Sequence, residues 1–190
     1  MDGRVAVRSR LVARDFKGKG GGKEKEDSLY ASTPPLEALR MLCSKAAAPG
    51  RNGRLRKMLF MDARKAHLNP KCEEEVYIEL PEETEAAEGI CGKLVFWMYG
   101  MRRAAHAWEE WYSRKMEAAE FLRGVGSSVV FFHNRRDVSV LVHGDDFVAV
   151  GEDEDLEWFK RLAVGWFEMK VRGKVGDGVE DEKEIVILGT

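Results

Sequence analysis

Ser128 to Val150 reads SVVFFHNRRDVSVLVHGDDFVAV, and the reading of this stretch decides the fold. Two apolar runs, Ser128–His133 and Val138–Val142, flank the polar residues Asn134 to Asp137, the pattern of two strands around a tight turn. A third run, Phe147–Val150, reads as another strand. Between the last two strands stand His143, Gly144, Asp145 and Asp146.

Working outward, Lys57 to Ala63 (KMLFMDA) is a short apolar run that predicts a buried strand ending near Asp62. Glu75 to Leu80 (EVYIEL) alternates and predicts a strand ended by Pro81, with an acidic loop over 82–89. Leu94 to Tyr99 is apolar and stops at Gly100. Met101 to Leu122 carries the longest helical pattern, with Ala104, Trp108, Trp111, Tyr112, Ala119 and Leu122 near one face; its two tryptophans are expected in the core. Asp155–Val164 predicts a helix and Ile185–Leu188 a final strand. Upstream, Val5 to Phe16 predicts a strand of alternating apolar residues and arginines. Gly18 to Asp27 (GKGGGKEKED) predicts a flexible loop. Thr33 predicts an N-cap, with Pro34 and Pro35 in the first turn of a helix that runs to about Ala48 and buries Leu36, Leu39 and Leu42. The mixed order of strands and helices predicts an α+β fold, a mainly antiparallel sheet packed on helices.

The chain has 190 residues, the size of one domain and at most a fraction more. A 44% hydrophobic share excludes full disorder. The apolar run Leu94–Tyr99 is far short of the ~18 residues of a membrane span, and MDGRVAVRSR predicts no secretory leader. The expected location is intracellular, cytoplasmic or nuclear. Net charge is −2, but residues 1–60 carry 14 Lys/Arg against 6 Asp/Glu, and residues 61–190 carry 17 against 27. A basic arm could meet phosphates and an acidic body could hold cations; two ordinary solvated surfaces would give the same split. Cys43, Cys72 and Cys91 form no C-x-x-C, so neither a zinc ribbon nor a redox motif is visible. The glycine-rich loop is no P-loop, because Glu24 follows Lys23 where Ser or Thr is required.

Three acids stand out by position. Asp62 ends an apolar strand, and Asp145 and Asp146 sit between two apolar strands. Unpaired carboxylates beside buried strands are costly unless a positive charge compensates them, and adjacent acids add like-charge repulsion. A hard divalent cation with oxygen ligands is one partner for them. Taken alone, Gly144-Asp145-Asp146 reads first as an ordinary hairpin turn, and an upstream strand ending in Asp62 strengthens the metal reading only modestly.

The chain resembles the reverse transcriptase of copia-type LTR retrotransposons. Arg10 to Arg14 (RLVAR) matches the family's R-L-V-A-R. Asp62 to Asn69 (DARKAHLN) matches D-V-K-T-A-F-L-N, and Glu74 to Pro81 (EEVYIELP) matches the motif that follows it. Tyr99 to Trp108 (YGMRRAAHAW) matches Y-G-L-K-Q-A-P-R-A-W. His143 to Asp146 stands where the family has Y-V-D-D, and Phe167–Lys170 and Ile187–Gly189 match its later F-x-M-K and F-L-G segments. These matches are collinear over residues 8–189.

The resemblance implies a fingers-and-palm polymerase, with 1–56 as a basic, fingers-like part containing a loop over 17–28, and 57–190 as a palm-like part. No complete thumb is expected after Thr190, which predicts weak processivity. Asp62, Asp145 and Asp146 would be the catalytic and metal-holding residues, for Mg²⁺ or alternatively Mn²⁺. Arg8, Arg10, Arg14, His67 and Arg103 would contact dNTP or template, and His143 and Gly144 would help place the primer end. The implied partners are an RNA template, a DNA primer, dNTPs and the integrase and RNase H domains of the parent Pol polyprotein, with no membrane. The implied location is a cytoplasmic virus-like particle or the nucleus.

Several positions depart from the family pattern. His67 replaces the aromatic residue that excludes a ribose 2′-hydroxyl, so weaker discrimination against ribonucleotides is expected when dNTP and rNTP incorporation are compared. Lys65 replaces a small Thr or Ser, Arg103 a Gln, Ala105 a Pro and His106 an Arg, while His143 and Gly144 replace Tyr and Val. A second reading stays open: a degenerate or co-opted fragment that keeps the fold, and with it nucleic-acid binding, but has lost catalysis.

Overall fold

The structure is a computed structural model and describes residues 11–15 and 31–185. Among the described residues there are three α-helices, α1 (Leu36–Ala46), α2 (Ala104–Ala118) and α3 (Asp153–Trp166). Six strands, β1 (Lys57–Ala63), β4 (Leu122–Arg123), β5 (Val130–His133), β6 (Val138–His143), β7 (Asp146–Gly151) and β8 (Met169–Val175), form one sheet in the order β4-β5-β6-β7-β1-β8. Every neighbouring pair in it is antiparallel. A separate hairpin pairs β2 (Tyr77–Glu79) with β3 (Cys91–Lys93). The α+β class and the antiparallel sheet expected from the sequence are both present.

The alternation of side chains along a strand sends successive residues to opposite faces. On one face, Leu59, Met61 and Ala63 of β1 join Phe147 and Ala149 of β7 in a core shared with Trp108, Tyr112 and Met116 of α2 and Leu156 and Phe159 of α3. On the other face, Met58, Phe60, Val148 and Val150 pack under Ala38 and Leu42 of α1. The middles of β1 and β7, Met58–Met61 and Phe147–Val150, are therefore apolar on both faces, which explains their continuous rather than alternating hydrophobicity.

Asp62 continues the series Met58, Phe60, and Asp146 continues Val150, Val148. Both acids thus lie on the α1 face, at the end of the strands opposite to the one that α1 covers.

Some expectations need correction. Residues 11–15 form no strand; Ala13 is tied instead by its N–H to the Tyr99 carbonyl at 2.8 Å. The rest of that predicted strand, the loop over 17–28 and the last strand beyond Ile185 lie outside the described residues. Pro35, not Thr33, precedes α1, and Leu36 is exposed while Leu42 is buried. The long helix ends at Ala118 because Glu120 adopts φ 65°, and Leu122 is exposed in β4 rather than in the core. The helix predicted over Asp155–Val164 is longer at both ends; Asp153, Glu154 and Asp155 in its first turn favour the positive end of the helix dipole. β8 was not visible as a strand: MKVRGKV carries three cations and a glycine, a composition suited to a sheet edge and hidden from a hydrophobicity reading.

Candidate active site

Asp62 and Asp146 face each other across β1 and β7 as partners in register. The β6–β7 hairpin closes on the pair His143–Asp146, leaving Gly144 and Asp145 at its tip. Gly144 has φ 62°, the positive value that a two-residue hairpin loop with glycine first calls for. Two contacts fix this tip. The indole N–H of Trp108, buried in α2, donates to the Gly144 carbonyl at 2.8 Å. The Ala63 N–H, at the end of β1, donates to the Asp145 carbonyl at 2.8 Å. The tip is thereby locked to both the helix layer and the central strand.

Asp62 and Asp145 open onto a cleft of about 820 Å³ whose walls also include Lys65, Tyr99, Lys170 and Arg172. The side chains of Asp62 and Asp146 are 21% and 20% exposed. Burial pushes the Asp146 carboxyl above its ordinary value; Arg172 opposes this, and the neighbouring Asp145 and Asp62 add to it. One nitrogen, Nη2 of Arg172, stands 3.1 Å from Asp62 Oδ2 and 3.2 Å from Asp146 Oδ1. Two carboxylates thus share one guanidinium. At the rim, Arg64 donates to Glu168 Oε1 at 3.0 Å, and Lys65 Nζ lies 3.6 Å from Glu168 Oε2. The Arg64 hydrogen bond, with the charge of Lys65, holds the Glu168 carboxyl below its ordinary value. Lys65 itself sits at φ 54°, in the left-handed region, on the turn that leaves β1.

Among the described residues, no three His, Cys, Asp or Glu side chains stand together as a ready metal-holding group. The pair Asp62–Asp146 does suit a hard cation. Its oxygens already converge on one positive charge, and Mg²⁺ is commonly held by one or two carboxylates, with waters and substrate phosphates filling the remaining positions.

Of the residues singled out from sequence, Asp62 and Asp146 are brought together. Asp145 lines the same cleft, more exposed, at the hairpin tip. His143 pairs with Asp146 in the hairpin. His67 packs its ring on Tyr99 at 4.8 Å between centroids, and Tyr99 lines the cleft. Arg103 is drawn elsewhere: it pairs with Glu74 and stands 5.8 Å over the Trp97 ring, on the wall of a neighbouring cavity. Arg14 is exposed and borders that same neighbouring cavity. Arg8 and Arg10 lie outside the described residues.

Sequence reasoning missed Arg172, Lys170 and the hydrogen bond of Trp108. The register of β8 against β1 is what delivers Lys170 and Arg172; the F-x-M-K match at Phe167–Lys170 marked the start of that segment but neither its strand nor Arg172. Trp108 was expected in the core, where it is, but its polar atom had no visible partner in the sequence.

Comparison with known proteins adds the ancestry. The family described as "Reverse transcriptase (RNA-dependent DNA polymerase)" matches residues 2–180. The chain is also similar to the retrovirus-related Pol polyprotein from transposon TNT 1-94 of Nicotiana tabacum, 27% identical over 158 residues. That match covers 80% of this chain and 11% of the polyprotein, so the chain spans about a tenth of its relative's length.

Proposed function

The chain belongs to the reverse transcriptase (RNA-dependent DNA polymerase) family, in its copia-type branch, and on that premise we propose that its cleft extends a DNA primer on an RNA template. In this reading residues 57–190 form the palm, and 1–56 contribute to the fingers. The observation that carries it is the pair of carboxylates at the uncovered end of the sheet, opposite each other in register and served by a single guanidinium.

The reaction joins a primer 3′-oxygen to the α-phosphorus of a dNTP. The bond from that phosphorus to the bridging oxygen breaks, pyrophosphate leaves, and the hydroxyl proton passes to solvent. Asp62 and Asp146, with Asp145 beside them, would hold Mg²⁺ or Mn²⁺. Bound there, such ions neutralise phosphate charge and favour the ionised 3′-oxygen. The protein's own share is positioning. Trp108 and Ala63 fix the hairpin tip that bears Asp145. Lys65 and Lys170 line the cleft as cations suited to a triphosphate. Tyr99, backed by His67, forms a wall against which a sugar can rest. Arg8, Arg10, Arg14 and Arg103 supply positive charge for template or triphosphate, and His143 and Gly144 border the primer end. The RNA template, DNA primer, dNTPs and the other domains of a Pol polyprotein are the partners of this reading, and a virus-like particle or the nucleus is its setting. Among the described residues, no helix is long and apolar enough to cross a membrane.

The test is incorporation of dTTP on primed poly(rA) with Mg²⁺ or Mn²⁺, beside the double variant Asp145→Asn, Asp146→Asn. Incorporation by the native chain and its loss in the variant are expected. RNA binding without incorporation would instead mark a fragment that has lost catalysis.

A further inference from the structure

The strand that carries Arg172 is irregular where it matters. β8 pairs Phe60 with Gly173 and Met61 with Val171, so Arg172 is the extra residue of a bulge against β1. Bulges re-aim side chains, and they concentrate beside functional sites. This one turns a guanidinium onto the α1 face, over the two register-paired acids. Among the described residues, the ion pairs of Arg172 are with Asp62 and Asp146 alone.

We infer that Arg172 is a resident counter-cation for this carboxylate pair, one that a divalent ion must displace, and that it therefore sets the affinity of the cleft for metal. The inference rests on the functional reading above, because it takes Asp62 and Asp146 as metal ligands. One guanidinium nitrogen stands between Asp62 Oδ2 and Asp146 Oδ1. An ion binding both acids needs those same oxygens. A guanidinium cannot shed its proton to make way, so it has to move. It has the means: the side chain is 39% exposed and borders the open cleft. Without metal, Arg172 relieves the repulsion between two acids held opposite each other. With metal, its charge is redundant at the pair and repels the incoming ion. A neutral side chain at this position would leave the pair costlier when bare and more receptive to an ion.

The experiment measures Mn²⁺ binding to the full chain by the electron paramagnetic resonance of free Mn²⁺, without nucleotide or template. The proteins are the native chain, Arg172→Gln, Arg172→Leu, Asp62→Asn and the double variant Asp62→Asn, Arg172→Gln. Arg172→Gln is expected to tighten Mn²⁺ binding about fivefold to tenfold, the scale of one partly exposed ion pair. Removing Asp62 should abolish that gain, because the competition then has no shared pair to act on. A second readout is melting temperature. Arg172→Gln should melt lower than the native chain in EDTA and gain more than it on saturation with Mn²⁺. Should Arg172→Leu fail to fold, Arg172→Gln keeps a polar, hydrogen-bonding side chain and still answers. Equal or weaker Mn²⁺ binding in Arg172→Gln would overturn the inference while leaving the polymerase reading intact. Absence of Mn²⁺ binding in every protein would overturn both.

Discussion

The two ends of the sheet treat carboxylates in opposite ways. At the end where β6 begins, Asp137 is one acid served by two cations: Lys45 Nζ at 2.9 Å from Oδ1, and Arg56 Nη2 at 2.5 Å from Oδ2. Its side chain is 15% exposed, and those of Lys45 and Arg56 are 21% and 12% exposed. At the end where β6 closes on β7, Asp62 and Asp146 are two acids served by one cation, Arg172, and Asp62 and Arg172 line a cleft. The first arrangement is saturated. It pins α1, which carries Lys45, to the turn before β6, and it has nothing left to offer a ligand. The second keeps unspent negative charge at a fixed place, which is what a cation site requires and what stability alone disfavours. The same end as Asp137 also holds Lys57, which stands 2.7 Å from Asp181 and 3.6 Å from Asp153, and Asp153 is engaged by Lys174 as well. Asp137, one acid held by two covered cations, and the pair Asp62–Asp146, two acids sharing one partly exposed cation, are therefore opposite cases.

The contrast can be broken by single substitutions. The largest expected effect is on catalysis: Asp146→Asn should lower dTTP incorporation at least about a hundredfold. Its melting temperature in EDTA should stay level or rise, since one of two repelling charges is gone. At the clamped end, Asp137→Ala should do the reverse. It leaves Lys45 and Arg56 without their shared acid and should cost about 3 kcal/mol in urea denaturation. Incorporation per folded molecule should not change.

Trp108→Phe tests the lock on the hairpin tip. Loss of the bond to the Gly144 carbonyl should cost about 1 kcal/mol of stability. Incorporation should fall up to about tenfold through misplacement of Asp145. Unchanged incorporation in that variant would remove Trp108 from the account of the site.

The smallest expected effect is the pH dependence of stability, which belongs to the clamped end. Burial alone would raise the Asp137 carboxyl, but hydrogen bonds from Arg56 and Lys45 hold it below its ordinary value. Lys174 does the same for Asp153, and Lys57 for Asp181. Such acids favour the folded chain when ionised. Their contribution is complete above the ordinary carboxylate value of 3.8 and is lost as pH falls through their lower folded values. His133, buried at the same end, has its pKa held below 6.5 mainly by desolvation, so protonation favours the unfolded chain. Stability should therefore begin to decline below 6.5. His133→Gln should flatten that upper part and leave the acid step in place, as read by urea midpoints across pH.

Much of this organisation was legible in the chain itself. The runs of β1, β5, β6 and β7 are apolar enough to declare strands, and the motif spacing placed Asp62, Asp145 and Asp146 at strand ends. What could not be read depends on pairing over long separations. Asp62 meets Asp146 only because β1 inserts between β7 and β8, an order that is not sequential. Arg172 reaches both acids only through a bulge in a charged edge strand that has no hydrophobic signature. Asp137 looked like an ordinary turn residue, and its two cations lie 92 and 81 positions away in sequence. Arg103 stood out from its motif, but its ion pair with Glu74 and its place over the Trp97 ring were not readable from it.

In the proposed reading the acid pair at the open end of the sheet does the chemistry, while the clamped acid at the other end holds the fold. Mg²⁺-dependent extension of oligo(dT) on poly(rA), measured at equal concentrations of folded native chain, Asp62→Asn and Asp137→Asn, tests it most directly. The account predicts extension by the native chain and by Asp137→Asn at matching rates, and none by Asp62→Asn. Extension by Asp62→Asn at the native rate would contradict it.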